Sequence, residues 1–128
     1  MGLHCGVDII EIDRIKKALD SGGKAFKDRV FTEREIMYCE ARKASKYQSY
    51  AARFAAKEAV SKAFGTGFGK GFLLKDIEVV NDESGRPCVV LHGKAQEMFE
   101  QVKGRSIALS LSHCRSHAVA YSVLEVSE

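Results

Sequence analysis

Several absences narrow this chain before any motif does. Although 45% of its 128 residues are hydrophobic, no apolar run approaches the ~20 residues of a membrane span, so no membrane-spanning helix is expected. The opening MGLHCGVDIIEIDRI has neither the basic start nor the small-residue cleavage site of a secretory signal. Met1-Gly2 begins like a myristoylation site, but Gly6 stands where Ser or Thr is required. A cytoplasmic location is expected. Cys5, Cys39, Cys88 and Cys114 form no CxxC pair, which leaves zinc and thioredoxin-type chemistry unsupported. In a reducing compartment they read as small apolar fillers.

Strong charge of either sign is missing too. A net charge of +3 permits attraction to an acidic partner or a phosphate ligand, but is too small and dispersed to argue for nucleic acid. There is no internal repeat and no low-complexity segment. The length suits a single domain over residues 1–128, which would bury about two-thirds of its unfolded surface.

What is present reads as alternating structure. Leu3 to Ile12 is a strand with Leu3, Cys5, Val7 and Ile9 on one side and Ile10 and Ile12 on the other. Such a strand is expected to be central and covered on both faces. Asp8 shares the side of Ile10 and Ile12, where a carboxylate is costly unless paired, hydrogen-bonded or bound to a cation. Asp13 is a plausible N-cap for a short helix over Arg14 to Leu19, ending near Ser21-Gly22-Gly23, and a second short helix follows over Lys24 to Val30. Thr32-Glu33-Arg34-Glu35 is a capping box that opens a third.

A long helix is expected from Tyr47, closed by glycines at Gly65 to Gly67. At about 100° per residue, Ala52, Ala55, Ala56, Ala59, Val60 and Ala63 share one face, while Phe54, Glu58, Ser61, Lys62 and Gly65 gather on the other. Glu58 and Lys62 stand at i,i+4, a spacing that by itself reads as a solvated ion pair. The GTGFGKG string is no Walker loop, because it follows a helix and its Gly-Lys is not followed by Ser or Thr. Beyond it come a hairpin (Ile77 to Val80, Cys88 to Leu91), a helix over Gly93 to Val102, and two strands, Ile107 to Ser112 and Ala118 to Val126. The order predicts an α+β fold, a largely antiparallel sheet packed against a long helix and several shorter ones.

Asp8 and Glu58, if their elements face one another, suit Mg²⁺, which takes one or two carboxylates and leaves sites for waters and phosphate. Lys62, one turn beyond Glu58, can then reach a phosphate oxygen. A Ser/His hydrolase built on Ser110, Ser112 and His113 lacks the GxSxG elbow. A Cys114–His113 pair fails because adjacent strand residues point to opposite faces. His113 and His117 are four apart in a turn, not on a helix.

The chain resembles the holo-acyl-carrier-protein synthases, the small stand-alone type of 4'-phosphopantetheinyl transferase. The resemblance spans nearly the whole length and rests on Gly6-Val7-Asp8-Ile9-Ile10-Glu11-Ile12 with Arg14, on Phe31-Thr32-Glu33-Arg34-Glu35, and on Arg53-Phe54-Ala55-Ala56-Lys57-Glu58-Ala59 continuing to Gly67. Leu109-Ser110-Leu111-Ser112-His113 and Ala118-Val119-Ala120 complete it. It implies transfer of phosphopantetheine from coenzyme A to a serine of apo acyl carrier protein, releasing adenosine 3',5'-bisphosphate, in support of fatty acid biosynthesis. By position, Asp8 and Glu58 would be Mg²⁺ ligands, and Asp8, Glu58 and Lys62 the catalytic set. A Glu58-associated water would serve as base, with direct proton removal by Asp8 as a second route. Arg53, Ser61, Lys62, Gly65 and His113 would bind coenzyme A, and the basic helix around Arg14 would dock the acidic carrier. The resemblance also implies a homotrimer with active sites between subunits. Cys114, where a polar or hydroxyl residue is usual, and His4 and Cys5 depart from the pattern.

Two other functions use the same features. A metal-dependent coenzyme A or nucleotide phosphohydrolase would need no protein acceptor. A non-catalytic carrier-binding module would keep the basic helix without needing the acids.

Overall fold

The computed structural model describes residues 1–65 and 71–128. It is built around one helix lying across one sheet. The strands β1 (Gly2–Glu11), β4 (Gly104–His113) and β5 (His117–Val126) form an antiparallel sheet in the order β1-β5-β4, and β2 (Ile77–Asn81) pairs with β3 (Pro87–Leu91) in a separate antiparallel hairpin. The helices are α1 (Ile12–Val30), α2 (Glu33–Ala41), α3 (Lys46–Phe64) and α4 (Gly93–Gln101), with single 3₁₀ turns at Lys43–Ser45 and Leu74–Asp76. The α+β expectation is met, except that the antiparallel strands divide into two sheets.

The helix α3 rests on β1 and β5 through the expected alanine stripe: Ala55, Ala56 and Ala59 are fully buried, and Ala52, Val60 and Ala63 nearly so. Small side chains let the backbones approach closely, and the sheet answers with glycine. A Cβ on Gly6 would lie 1.9 Å from the Ala59 carbonyl oxygen. Beside it, Ser122, the register partner of Gly6, donates its hydroxyl to that same carbonyl at 2.9 Å. The larger apolar mass sits to either side of the stripe. Phe31 and Tyr50, with ring centroids 4.9 Å apart, join Ile15 and Leu19 in one cluster. Val60, Phe64, Phe72, Ile77, Ala95 and Leu124 form the other. Each large buried side chain stabilises by about 1.5–3 kcal/mol.

Two expectations are corrected. First, β1 is not a central strand covered on both faces. It is an edge strand, and Leu3, Val7 and Ile9 remain 63%, 52% and 65% exposed. The face bearing Gly6, Asp8 and Ile10 packs on α3, and among the described residues no element covers the other. Second, the two short helices after β1 run as one helical stretch broken at Gly23, whose φ of 54° and ψ of −139° are open to glycine. Its N-cap is Glu11 rather than Asp13, which lies in the first turn.

Local signals elsewhere are realised as read. The Thr32 hydroxyl accepts from the Glu35 amide at 3.2 Å while Glu35 Oε1 accepts from the Thr32 amide at 2.9 Å. The long helix ends at Phe64 with Gly65 as its left-handed C-cap, φ 81°. Gly67 and Gly69, and so most of the glycine string, lie outside the described residues.

Candidate active site

The opposed face of α3 meets the edge of β1. Asp8 projects from the helix-packed side of that strand, and Lys62 reaches back from the last turn of α3 to it. The Lys62 ammonium donates to Asp8 Oδ1 at 3.0 Å and to the Val7 carbonyl at 2.9 Å. An edge strand leaves such carbonyls unpaired, which is why Val7 can accept. The i,i+4 spacing of Glu58 and Lys62, which taken alone reads as an ion pair, is accompanied in the structure by an Asp8–Lys62 pair. Glu58 feels both neighbours. Burial pushes its carboxyl above the ordinary carboxylate range, the Asp8 carboxylate pushes it the same way, and Lys62 opposes both. Asp8, Glu58 and Lys62 thus form one electrostatic cluster, as the sequence suggested.

Two half-buried carboxylates that repel one another are suited to a divalent cation. Among the described residues no group of three or more His, Cys, Asp or Glu side chains forms a complete protein cage. Two carboxylates fit an ion of the Mg²⁺ kind, which keeps several waters and binds phosphate oxygens.

The other predicted residues separate. Arg53 is buried, donates to Asn81 Oδ1 at 2.7 Å and stacks 4.0 Å over the Tyr38 ring, while its Nε has no hydrogen-bond partner among the described residues. With Arg42, Asn81 and His113 it borders a cavity of about 340 Å³. Lys62 and Gly65 border a different cavity, of about 370 Å³. Ser61 is only 1% exposed and its hydroxyl is likewise unpartnered among the described residues. This corrects its placement on the open face of the helix. Among the described residues, Arg53 and His113 therefore border one cavity and Lys62 and Gly65 another.

One residue escaped the sequence reading. Lys57 is fully buried, and its ammonium donates to Glu35 Oε1 at 2.7 Å, to the Ile77 carbonyl at 2.6 Å and to the Leu74 carbonyl at 3.2 Å. Glu35 Oε2 in turn accepts from the Val79 amide at 2.8 Å. The capping-box glutamate was the available signal, since a carboxylate drawn into the core needs a cation. The network fixes α3 to α2 and β2 immediately beside Glu58.

A carboxylate pair with a lysine ammonium, and a separate cavity bearing two arginines, suit a protein that acts on a phosphate ester. The family comparison agrees: a model described as 4'-phosphopantetheinyl transferase superfamily matches residues 4–122. The chain belongs to this superfamily and, within it, to the holo-[acyl-carrier-protein] synthases. It is 56% identical over 128 residues to the holo-[acyl-carrier-protein] synthase of Ruminiclostridium cellulolyticum, a match covering 100% of this chain and 96% of that one. The synthase of Bacillus anthracis, solved in complex with CoA (3',5'-ADP), is 42% identical with a TM-score of 0.79, covering 97% of this chain and 96% of that one. The Helicobacter pylori synthase in complex with coenzyme A is 31% identical with a TM-score of 0.83, covering 94% and 99%.

Proposed function

We propose that the protein transfers the 4'-phosphopantetheine group of coenzyme A to a serine of apo acyl carrier protein, yielding holo carrier protein and adenosine 3',5'-bisphosphate, and so supports fatty acid biosynthesis in the cytoplasm. The observation that carries the site assignment is the meeting of Asp8, Glu58 and Lys62 at the edge of β1.

In this scheme Asp8 and Glu58 would hold Mg²⁺, which would supply neutralisation of the coenzyme A pyrophosphate and a more acidic bound water. The chain's own groups do the rest. Glu58, whose carboxyl burial and the Asp8 carboxylate hold above the ordinary range, would position the water that takes the carrier serine proton. Asp8 is the second candidate for that proton. Lys62, released from Asp8, turns its ammonium to the phosphate oxygens and stabilises charge on the departing bisphosphate. Arg53, Ser61, Gly65 and His113 bind coenzyme A. The Arg53 Nε, which has no hydrogen-bond partner among the described residues and belongs to a residue that borders the cavity, supports this, since buried polar atoms want a partner.

A second copy of the chain completes the site. Leu3, Val7, Ile9 and Tyr121 leave an exposed apolar face on the sheet, and single exposed residues are common where contiguous patches are not. In a homotrimer with sites between subunits, the Arg53–His113 cavity of one subunit and the Lys62–Gly65 edge of its neighbour would together form the site. The acidic carrier docks on α1 around Arg14, which is exposed there with Lys16 and Lys17.

The test is to incubate the protein with coenzyme A, Mg²⁺ and apo carrier protein and to weigh the carrier. A phosphopantetheine adduct on the serine is expected. Hydrolysis of coenzyme A with no adduct would overturn the transferase assignment in favour of a phosphohydrolase. Carrier binding without either reaction would indicate a silent docking module.

A further inference from the structure

Three consecutive residues of α3 are held from two sides. Lys57 reaches toward α2 and β2, where its ammonium donates to Glu35 Oε1 at 2.7 Å and to the Ile77 carbonyl at 2.6 Å. Ala59 rests on the sheet, and its carbonyl oxygen accepts from the buried Ser122 hydroxyl at 2.9 Å. Glu58 stands between these anchors. Successive helical residues are about 100° apart, so fixing both neighbours fixes the direction in which Glu58 leaves the helix.

The sheet side of this clamp also sets a distance. Side chains on a strand alternate, which puts Gly6 and Asp8 on the same face of β1. A Cβ on Gly6 would fall 1.9 Å from the Ala59 carbonyl oxygen and 2.8 Å from the Ala63 amide nitrogen. Both are backbone atoms, which no side-chain rotation can clear. Ordinary contact begins at 3.4 Å, so strand and helix would have to part by about 1.5 Å, and the Lys57 anchor resists that movement. Gly6 sits in a regular strand and, unlike Gly23 and Gly65, has no positive φ. The close approach is therefore what requires glycine here.

We propose that Gly6 is a positioning residue for the metal: the side chain it lacks holds Asp8 and Glu58 at the separation a small divalent cation needs, with Ser122 keeping the helix seated. The proposal rests on the Mg²⁺ assignment above. Oxygen ligands lie at about 2.0–2.1 Å from Mg²⁺ and about 2.3–2.6 Å from Ca²⁺. A wider gap should therefore favour the larger ion.

The experiment follows Mn²⁺ binding to the complex of the protein with coenzyme A by electron paramagnetic resonance, against coenzyme A alone, with Mg²⁺ and Ca²⁺ as displacing ions. Gly6→Ala is expected to weaken Mg²⁺ by about tenfold or more, the scale of losing an outer-shell support, and to shift preference toward Ca²⁺. Asp8→Glu adds one methylene, about 1.5 Å of reach. It should weaken Mg²⁺ in the wild-type background but strengthen it in Gly6→Ala, a rescue that general loss of structure would not allow. Should Gly6→Ala not fold, Ser122→Ala decides, with the same change of preference expected at about threefold. Unchanged affinities and preference in the folded variant would overturn the positioning role and leave the metal assignment standing. A wild-type complex that binds none of the three ions would overturn the metal assignment, and the positioning role with it.

Discussion

Lys62 and Asp8, fifty-four residues apart in sequence, meet at 3.0 Å, and this contact joins the last turn of the long helix to the edge of the sheet. Burial and the neighbouring Asp8 carboxylate hold Glu58 above the usual carboxylate range. Among the described residues, the Lys62 ammonium beside these acids pairs with Asp8. A cation entering between the acids would relieve their repulsion and free Lys62 for a ligand.

Neutralising either acid should therefore disable transfer without unfolding the chain. Asp8→Ala and Glu58→Ala are each expected to lower kcat/KM by at least ~10²-fold, the scale of losing a charge-stabilising group, with circular dichroism unchanged. Full activity in both variants with the metal chelated would remove the metal from the scheme.

Lys57 is a stability residue beside the site. Its ammonium is fully buried against Glu35 and two carbonyls, and burial pulls its pKa down while Glu35 pulls it up. Lys57→Met would strand the Glu35 carboxylate in the core and should cost about 3–5 kcal/mol. Lys57→Met combined with Glu35→Gln should cost less than the sum of the two single changes. Chemical denaturation of the four proteins checks this, and strict additivity would contradict a direct pair.

The acid limb of stability should report Glu78. Hydrogen bonds from Arg34, Thr32 and His92 hold its carboxyl down at about 2. A folded pKa below the unfolded one contributes stability that is present above pH ~4.5 and lost as pH falls toward 2. Because Arg34 is largely exposed, the contribution is discounted to on the order of 2 kcal/mol or less. Glu78→Gln should lower stability at pH 7 and flatten its decline between pH 5 and 2. A wild-type slope in the variant would assign that decline to other groups.

Charging the open sheet face should disrupt assembly. Val7 and Ile9 are more than half exposed, and Val7→Asp or Ile9→Lys should convert an oligomer to monomers in sedimentation analysis while the chain stays folded. Transfer should fall with it, because Arg53 and His113 border a different cavity from Lys62. A monomeric wild type would end this account of the site.

Element order, the capping box at Thr32 and Glu35, the alanine stripe of the long helix and its Gly65 stop were legible in the sequence. They depend on spacing along one element and on local hydrogen bonds. Asp8 was legible as an anomaly, since a carboxylate among isoleucines needs a partner, and the family resemblance named Glu58 and Lys62. Tertiary structure alone decided which charges pair. Lys62 goes to Asp8 because β1 is an edge strand with a free Val7 carbonyl, and edge position follows from sheet order, not from the strand's own composition. It also buried Lys57 and Ser61, which local periodicity could not place, because what covers a helix flank depends on elements distant in the chain. The exposed side of β1 has the same cause: its apolar pattern reads as a strand buried on both faces, but only the assembled sheet shows that this chain's own helices lie on the other side and leave Leu3, Val7 and Ile9 exposed.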